Sequence, residues 1–394
     1  MIPVLAALAL ALTTNPSPER LEEMAWQDAD SRAEQSHQKD LKTDIDVGGR
    51  YAVQVERSCK MCTDLEVVKR VQRVGAEMAD IANQTHSIAS WGDRRFNTFN
   101  YTFKVIQDDV PNAFSLPGGY IYIQTGLLKI IESDDELAGV LAHEISHAKF
   151  RHVATLQRDA SKLQWIQLPI ILAAILSGSP NAGAAIEGGS LASAALQNGW
   201  TVQAEEAADY GGIQLMVKSN YNPTGMLTCM EHLGLLEKNQ PQYYTNLGIF
   251  RTHPPSKERA DSMIKFMKQY GIPIQRSKVS TSFRAIVKPD DKIPGAVVVT
   301  FSGKNLFTFA GNDALTRADQ VSAKLNDFLD STPEMYEVTA GANGTVFGGT
   351  DRLLQFAPDD ATAQSKSIAD LQKETVANIR NALYTVTFRL WSTH

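Results

Sequence analysis

The sequence predicts an α+β chain in two parts: a mainly helical body with a small edge sheet, then a small C-terminal α+β domain containing a 47-residue internal repeat. Three observations carry this expectation. A strong helix-start signal opens residues 133–149, and two alternating apolar segments separated by a Pro- and Gly-rich turn precede it. Beyond residue 290 one nine-residue pattern occurs twice.

Taken in chain order, residues 2–12 (IPVLAALALAL) are apolar without a break. Eleven helical residues reach about 16 Å, roughly half a bilayer core, so the segment suits a signal peptide over 1–14 better than a membrane span. Export to the periplasm or envelope is the expectation; without that processing the chain would be cytoplasmic. A polar lead-in helix is expected over 18–44, then two amphipathic helices from Val47 to Asn83 with Cys59 and Cys62 at their joint. That CxxC would be a strained disulfide after export, or a redox pair.

Strands are expected at Asn97–Ile106 and Gly119–Gln124, with PNAFSLPGG turning between them. Ser133 followed by Glu136 reads as a capping box that opens a helix through Lys149. The apolar run 165–176 is again too short to span a bilayer and reads as a buried helix, with peripheral membrane contact as the other reading. Helices follow at 190–218, 223–237 and 256–270, and Pro and Gly punctuate a boundary at 272–292. The domain division is therefore 15–275 and 290–394. In the second part Leu306–Ala314 (LFTFAGNDA) matches Leu353–Ala361 (LLQFAPDDA) 47 residues on, each copy leading into a helical pattern.

Composition excludes several classes. The chain of 394 residues has 43% hydrophobic and 21% charged residues, which is ordinary for a globular protein. Its 38 Lys and Arg against 44 Asp and Glu give a net charge of −6 with no long basic run, so no nucleic-acid partner is expected. Three cysteines are too few for a disulfide scaffold or a cysteine-based zinc finger.

The chemistry sits in His143-Glu144-Ile145-Ser146-His147. Residues four apart on a helix share a face, so both imidazoles can bind one tetrahedral Zn²⁺, with Glu144 placed to take a proton from water. A third ligand is needed. The pattern HExxHxxGxxH fails, because Phe150 and Val153 stand where its Gly and His would be. Glu205 and Asp209 are also four apart, so one could bind metal while the other orients an imidazole; Glu206 is the competing ligand. His152, just past the helix, would brace its end. The strand Tyr120–Gln124, with Asn112 and Ala113 before it, is read as an exposed edge to which extended substrate adds. His253, before Pro254-Pro255, would either stabilise an oxyanion or occupy the open metal position, and Arg259 would anchor that loop or the transition state.

HEISHAKFRH, the downstream Glu205–Asp209 segment, NAFSLPGGYIYIQTGLL and THPPSKER, in this order, resemble the zinc metallopeptidases that include the CAAX prenyl endopeptidases, HtpX and the periplasmic β-barrel assembly-enhancing protease. The resemblance covers roughly residues 45–270. It implies a zincin-like fold and metal-dependent endoproteolysis, with one Zn²⁺ per chain held by His143, His147 and Glu205, Glu144 as base and Asp209 behind the ligands. The absence of a full-length apolar span resembles the soluble exported branch. The function expected is hydrolysis of extended or misfolded protein substrates in envelope quality control. The alternative is a zinc-holding chaperone that binds extended chains with little turnover.

Overall fold

The computed structural model describes residues 18–160, 202–239 and 257–384; the expected leader over 1–14, the apolar run 165–176 and His253 lie outside the described residues. The described residues are mixed helical with three small sheets, an α+β architecture.

Helix α1 spans Pro18–Ser58 without a break. The expected lead-in over 18–44 and the first amphipathic helix after it are thus one element, despite Gly48-Gly49. The glycines are kept for close packing, not for a bend: a Cβ on Gly48 would sit 1.7 Å from the Pro117 carbonyl oxygen. The buried stripe of this helix runs through His37, Leu41, Asp44, Gly48, Ala52 and Val55, three or four residues apart. Helix α2 (Leu65–Gln84) is capped by Asp64, whose carboxylate accepts the Glu66 and Val67 N–H groups, and it buries Val71, Val74, Met78 and Ala82.

Strands β1 (Thr102–Ile106), β2 (Ala113–Leu116) and β3 (Tyr120–Gln124) form a sheet of order β1-β3-β2, with β1 parallel and β2 antiparallel to β3. This corrects the expected edge. The Tyr120–Gln124 strand is the paired centre of the sheet, and the edge strand is β2, hidden within the segment expected to turn. All four β2 residues are buried, so the strand lacks the alternation by which a half-exposed strand is recognised. Tyr120 is therefore not placed as a substrate contact: its ring lies against Gly48 and Gly49 of α1. The outer side of β1 is covered by the chain at Lys60–Cys62, where Met61 bridges Ile106 and the Cys62 N–H donates to the Val105 carbonyl. Cys59 and Cys62 are free thiols packed against different hydrophobic clusters.

Helices α3 (Thr125–Leu128), α4 (Asp134–Lys149), α5 (His152–Ala160), α6 (Val202–Met216), α7 (Thr224–Asn239), α8 (Lys257–Gln269) and α9 (Arg276–Val279) follow. The main core joins α2, β1, β3, α4, α6, α7 and α8. A second cluster begins at Phe283 and ends at Leu383. It lies among two antiparallel sheets, β4 (Ile286–Pro289), β5 (Val297–Phe301), β6 (Lys304–Phe309) and β7 (Val338–Ala340), β8 (Thr345–Gly348), β9 (Asp351–Gln355), with helices α10 (Ala314–Asp330), α11 (Pro358–Gln364) and α12 (Ile368–Tyr384). No described helix is long and apolar enough to cross a membrane.

The contact at Gly48 gives a direct check. Gly48→Ala should lower stability by about 1–3 kcal/mol through overpacking against backbone. Gly49→Ala meets the Tyr120 hydroxyl at 3.1 Å, the movable end of a side chain, and should be near neutral. Thermal unfolding of the two variants measures this, and equal midpoints would contradict the packing argument.

Candidate metal centre

Local sequence sets α4 in place. The Ser133 hydroxyl accepts the Glu136 N–H at 3.2 Å, and the Glu136 carboxylate reaches back to the Glu132 N–H at 2.7 Å. Asp134, Asp135 and Glu136 put negative charge at the positive end of the helix dipole. Every residue from Glu136 to Lys149 is buried, so α4 is a central helix, and His143, Glu144 and His147 lie inside the protein.

The facing helix, α6, approaches closely because its contact residues are small. A Cβ on Gly211 would stand 2.5 Å from the Phe150 ring and 2.8 Å from the Ser146 hydroxyl. A Cβ on Gly212 would meet the Met226 sulfur at 2.8 Å and the His143 nitrogen at 3.2 Å. Ala207 and Ala208 are fully buried on the same helix. This approach brings Glu205 and Asp209, both 2% exposed, against the imidazoles.

His143 Nε2 and His147 Nε2 are 3.0 Å apart; Glu205 Oε2 is 3.4 Å from the first and Glu205 Oε1 is 3.3 Å from the second. Tetrahedral coordination with bonds of about 2.0–2.1 Å sets neighbouring donors about 3.3 Å apart. The three side chains therefore fit a divalent ion, and among the described residues they are the group that could hold one. Glu206 is half-exposed and lies outside it.

The far sides of the donors are held as well. Asp209 Oδ1 is 3.0 Å from His143 Nδ1. Arg259, on α8, donates from Nε and Nη2 to the two Asp209 oxygens at 2.9 and 2.7 Å, and its Nη1 lies 3.0 Å from Glu205 Oε2. The expected loop or substrate anchor is thus a clamp on the two acids of α6. His147 Nδ1 meets His152 Nδ1 at 2.9 Å. After Phe150 the chain turns through Arg151, at φ 50°, whose guanidinium is buried against Asp44 (2.6 Å) and Asp93 (2.9 Å). That network ties α1 to the end of α4.

These contacts set the protonation of the site. Burial opposes charge on His143, but Asp209 and Glu205 outweigh it and push its pKa up to about 10. Burial holds His147 well below the usual imidazole value, against the pull of Glu205. Burial would raise Asp209, but Arg259 and His143 keep it below the usual carboxylate range. Beside Glu144 and His143 lies a cavity of about 50 Å³ lined by Val140, Met226, Cys229, Met230 and Leu233. This apolar wall lowers the local dielectric and strengthens the charge interactions.

Of the other expected site residues, Asn112 and Ala113 are buried at the start of β2, where the Asn112 carbonyl accepts the Gln124 N–H at 2.8 Å. Spacing alone did not reveal the Arg259 clamp or the His147–His152 contact. The available signal for the second was a histidine five residues beyond the motif.

A raised His143 pKa has a measurable consequence. Below about pH 10 the metal-free site keeps a proton on that ring, and a metal has to displace it. Zinc binding to the stripped chain should release close to one proton near neutral pH, and affinity should fall roughly tenfold per unit as pH drops. Calorimetry in buffers of different ionisation enthalpy measures the release; a pH-independent affinity between 7 and 9 would contradict it.

Comparison with known proteins accords with this geometry. The β-barrel assembly-enhancing protease of Escherichia coli (strain K12) is 28% identical over 242 residues, covering 60% of this chain and 46% of that protein. The mitochondrial metalloendopeptidase OMA1 of Saccharomyces cerevisiae is 31% identical over 158 residues, covering 40% and 44%; that of Arabidopsis thaliana is 28% identical over 201 residues, covering 50% and 38%. The chain thus spans less than half the length of these relatives. Peptidase family M48 matches residues 69–265, a stretch that holds α4, α6 and every residue of the donor cluster. The chain belongs to peptidase family M48.

Proposed function

We propose that this chain is a zinc-dependent endopeptidase that binds one Zn²⁺ through His143, His147 and Glu205 and cleaves extended or misfolded protein segments. The observation that carries the reading is the donor cluster, in which His143 Nε2 and His147 Nε2 are 3.0 Å apart and lie 3.4 and 3.3 Å from the two Glu205 oxygens, with Glu144 buried one residue along the same helix. Family membership and the metalloendopeptidase relatives support it.

Zinc in this site supplies Lewis-acid chemistry, acidifying a water and polarising the scissile carbonyl. Glu144 takes the proton of the attacking water, holds it against the apolar wall, and delivers it to the nitrogen of the leaving amine. Asp209 orients His143, and Arg259 keeps Asp209 ionised and holds both Asp209 and Glu205 in place. Extended substrate pairs with the outer edge of β2, where backbone hydrogen bonding gives affinity with little sequence preference. Asn112 and Ala113 lead into that edge.

Envelope protein quality control is the role we assign, on the apolar segment 2–12 and the likeness to a β-barrel assembly-enhancing protease. His253 acts near the metal, as oxyanion partner or as a blocking ligand, and residues 165–176 supply any contact with lipid. Residues 15–275 form the protease domain and 290–394 a small α+β domain built from two copies of one unit. The pairing registers support the duplication: Val299 with Phe307 and Val346 with Leu354 stand 47 residues apart, as do the bulges beside them.

Metal content and casein cleavage, measured for wild type and Glu144→Gln, test the proposal. The variant should keep about one zinc per chain and lose cleavage by about 10²–10⁴-fold. Equal turnover by both, or two inert proteins with full zinc, would overturn the protease reading.

A further inference from the structure

We propose that His152 is a positioning residue that fixes the tautomer of His147 through a relay ending on the Trp91 carbonyl. The proposal rests on the metal site above and deepens it, since spacing and donor distances alone leave open which nitrogen of His147 carries its proton.

Local structure builds the relay. Phe150 caps α4, Arg151 reverses the chain at φ 50°, and His152 opens α5 folded back against His147. His152 is fully buried, with its ring 4.8 Å from that of His147 at 86° and 5.1 Å from Trp91. The opposite strand of chain is held by the Asp93 N–H, which donates to the Phe150 carbonyl at 2.8 Å. Gly92 makes the approach possible: at φ 102°, a Cβ there would stand 2.5 Å from the Phe150 oxygen and 2.8 Å from His152 Cδ2.

The direction of the hydrogen bonds follows from the last member. His152 Nε2 lies 3.3 Å from the Trp91 oxygen, and a carbonyl oxygen only accepts. A neutral His152 therefore carries its proton on Nε2 and presents a lone pair at Nδ1. Its partner there is His147 Nδ1 at 2.9 Å, which must donate. That leaves the lone pair of His147 on Nε2, the atom that faces His143 Nε2 and Glu205. In the opposite arrangement two lone pairs would face each other at Trp91, and His147 would point an N–H at the metal position. The two ligand imidazoles are thus oriented by different means: a carboxylate for His143, and an imidazole backed by a carbonyl for His147. The second device adds no further negative charge to a site already rich in buried acids.

The full chain tests this with two substitutions and one spectrum. His152→Phe keeps ring shape but removes the acceptor, and its zinc affinity, read by chelator competition, should fall about 10–100-fold. His152→Asn offers an oxygen near the Nδ1 position and should recover part of that loss. Nitrogen-15 NMR of the metal-free wild type should find His147 protonated at Nδ1 and bare at Nε2. Wild-type affinity in a folded Phe variant overturns the proposal, and so does an Nε2–H signal on His147; the spectrum decides if the Phe variant does not fold. A wild type that binds no zinc overturns the metal site itself, so the two failures are distinguishable.

Discussion

Glu144, Glu205 and Asp209 bring three carboxylates into one buried place, where an uncompensated ion costs several kcal/mol. Much of the surrounding structure answers that constraint. Arg259 sits between two of the three acids and offers one positive charge. The metal-free site takes a proton on His143, whose pKa rises for the same reason. A divalent ion would supply the remaining charge, so the electrostatics and the donor spacing favour the same occupant. The balance joins side chains of α4, α6 and α8 in one cluster.

The constraint also explains the shape of the helices. Carboxylates on α6 reach imidazoles on α4 only if the two backbones lie close, and Ala207, Ala208, Gly211 and Gly212 make that possible. The far end of α4 is fixed by Arg151, whose ion pairs with Asp44 and Asp93 fasten the long α1 helix to the site. A buried network of this kind is a weak source of net stability but a strong source of specific geometry. It holds the turn that places His152 against His147.

Reading by spacing worked where one segment carries the whole signal. The cap at Ser133, the shared face of His143 and His147, and the pairing of Glu205 with Asp209 all follow from helical periodicity within a few residues. It failed where a partner segment decides. The edge of the sheet was placed at Tyr120–Gln124, yet β2 takes that position because β1 and β2 close on β3 from both sides. The lead-in helix expected to end at residue 44 instead continues to Ser58, with Gly48 packed beneath Pro117, where only a residue without Cβ fits. Arg259, fifty residues beyond Asp209, gave no local sign that it would pair with it.

By itself the sequence determined the HExxH motif, the helix that carries it, the acid pair downstream and the α+β class, because side-chain spacing along a helix fixes which groups share a face. Tertiary structure sets Glu205, the expected ligand, and not Glu206 against the imidazoles, and it alone decided that β2 is an edge of its sheet among the described residues and that Arg259 and His152 steady the donors from behind. These outcomes depend on how closely distant backbones approach, and that distance is set by the packing of all the helices at once.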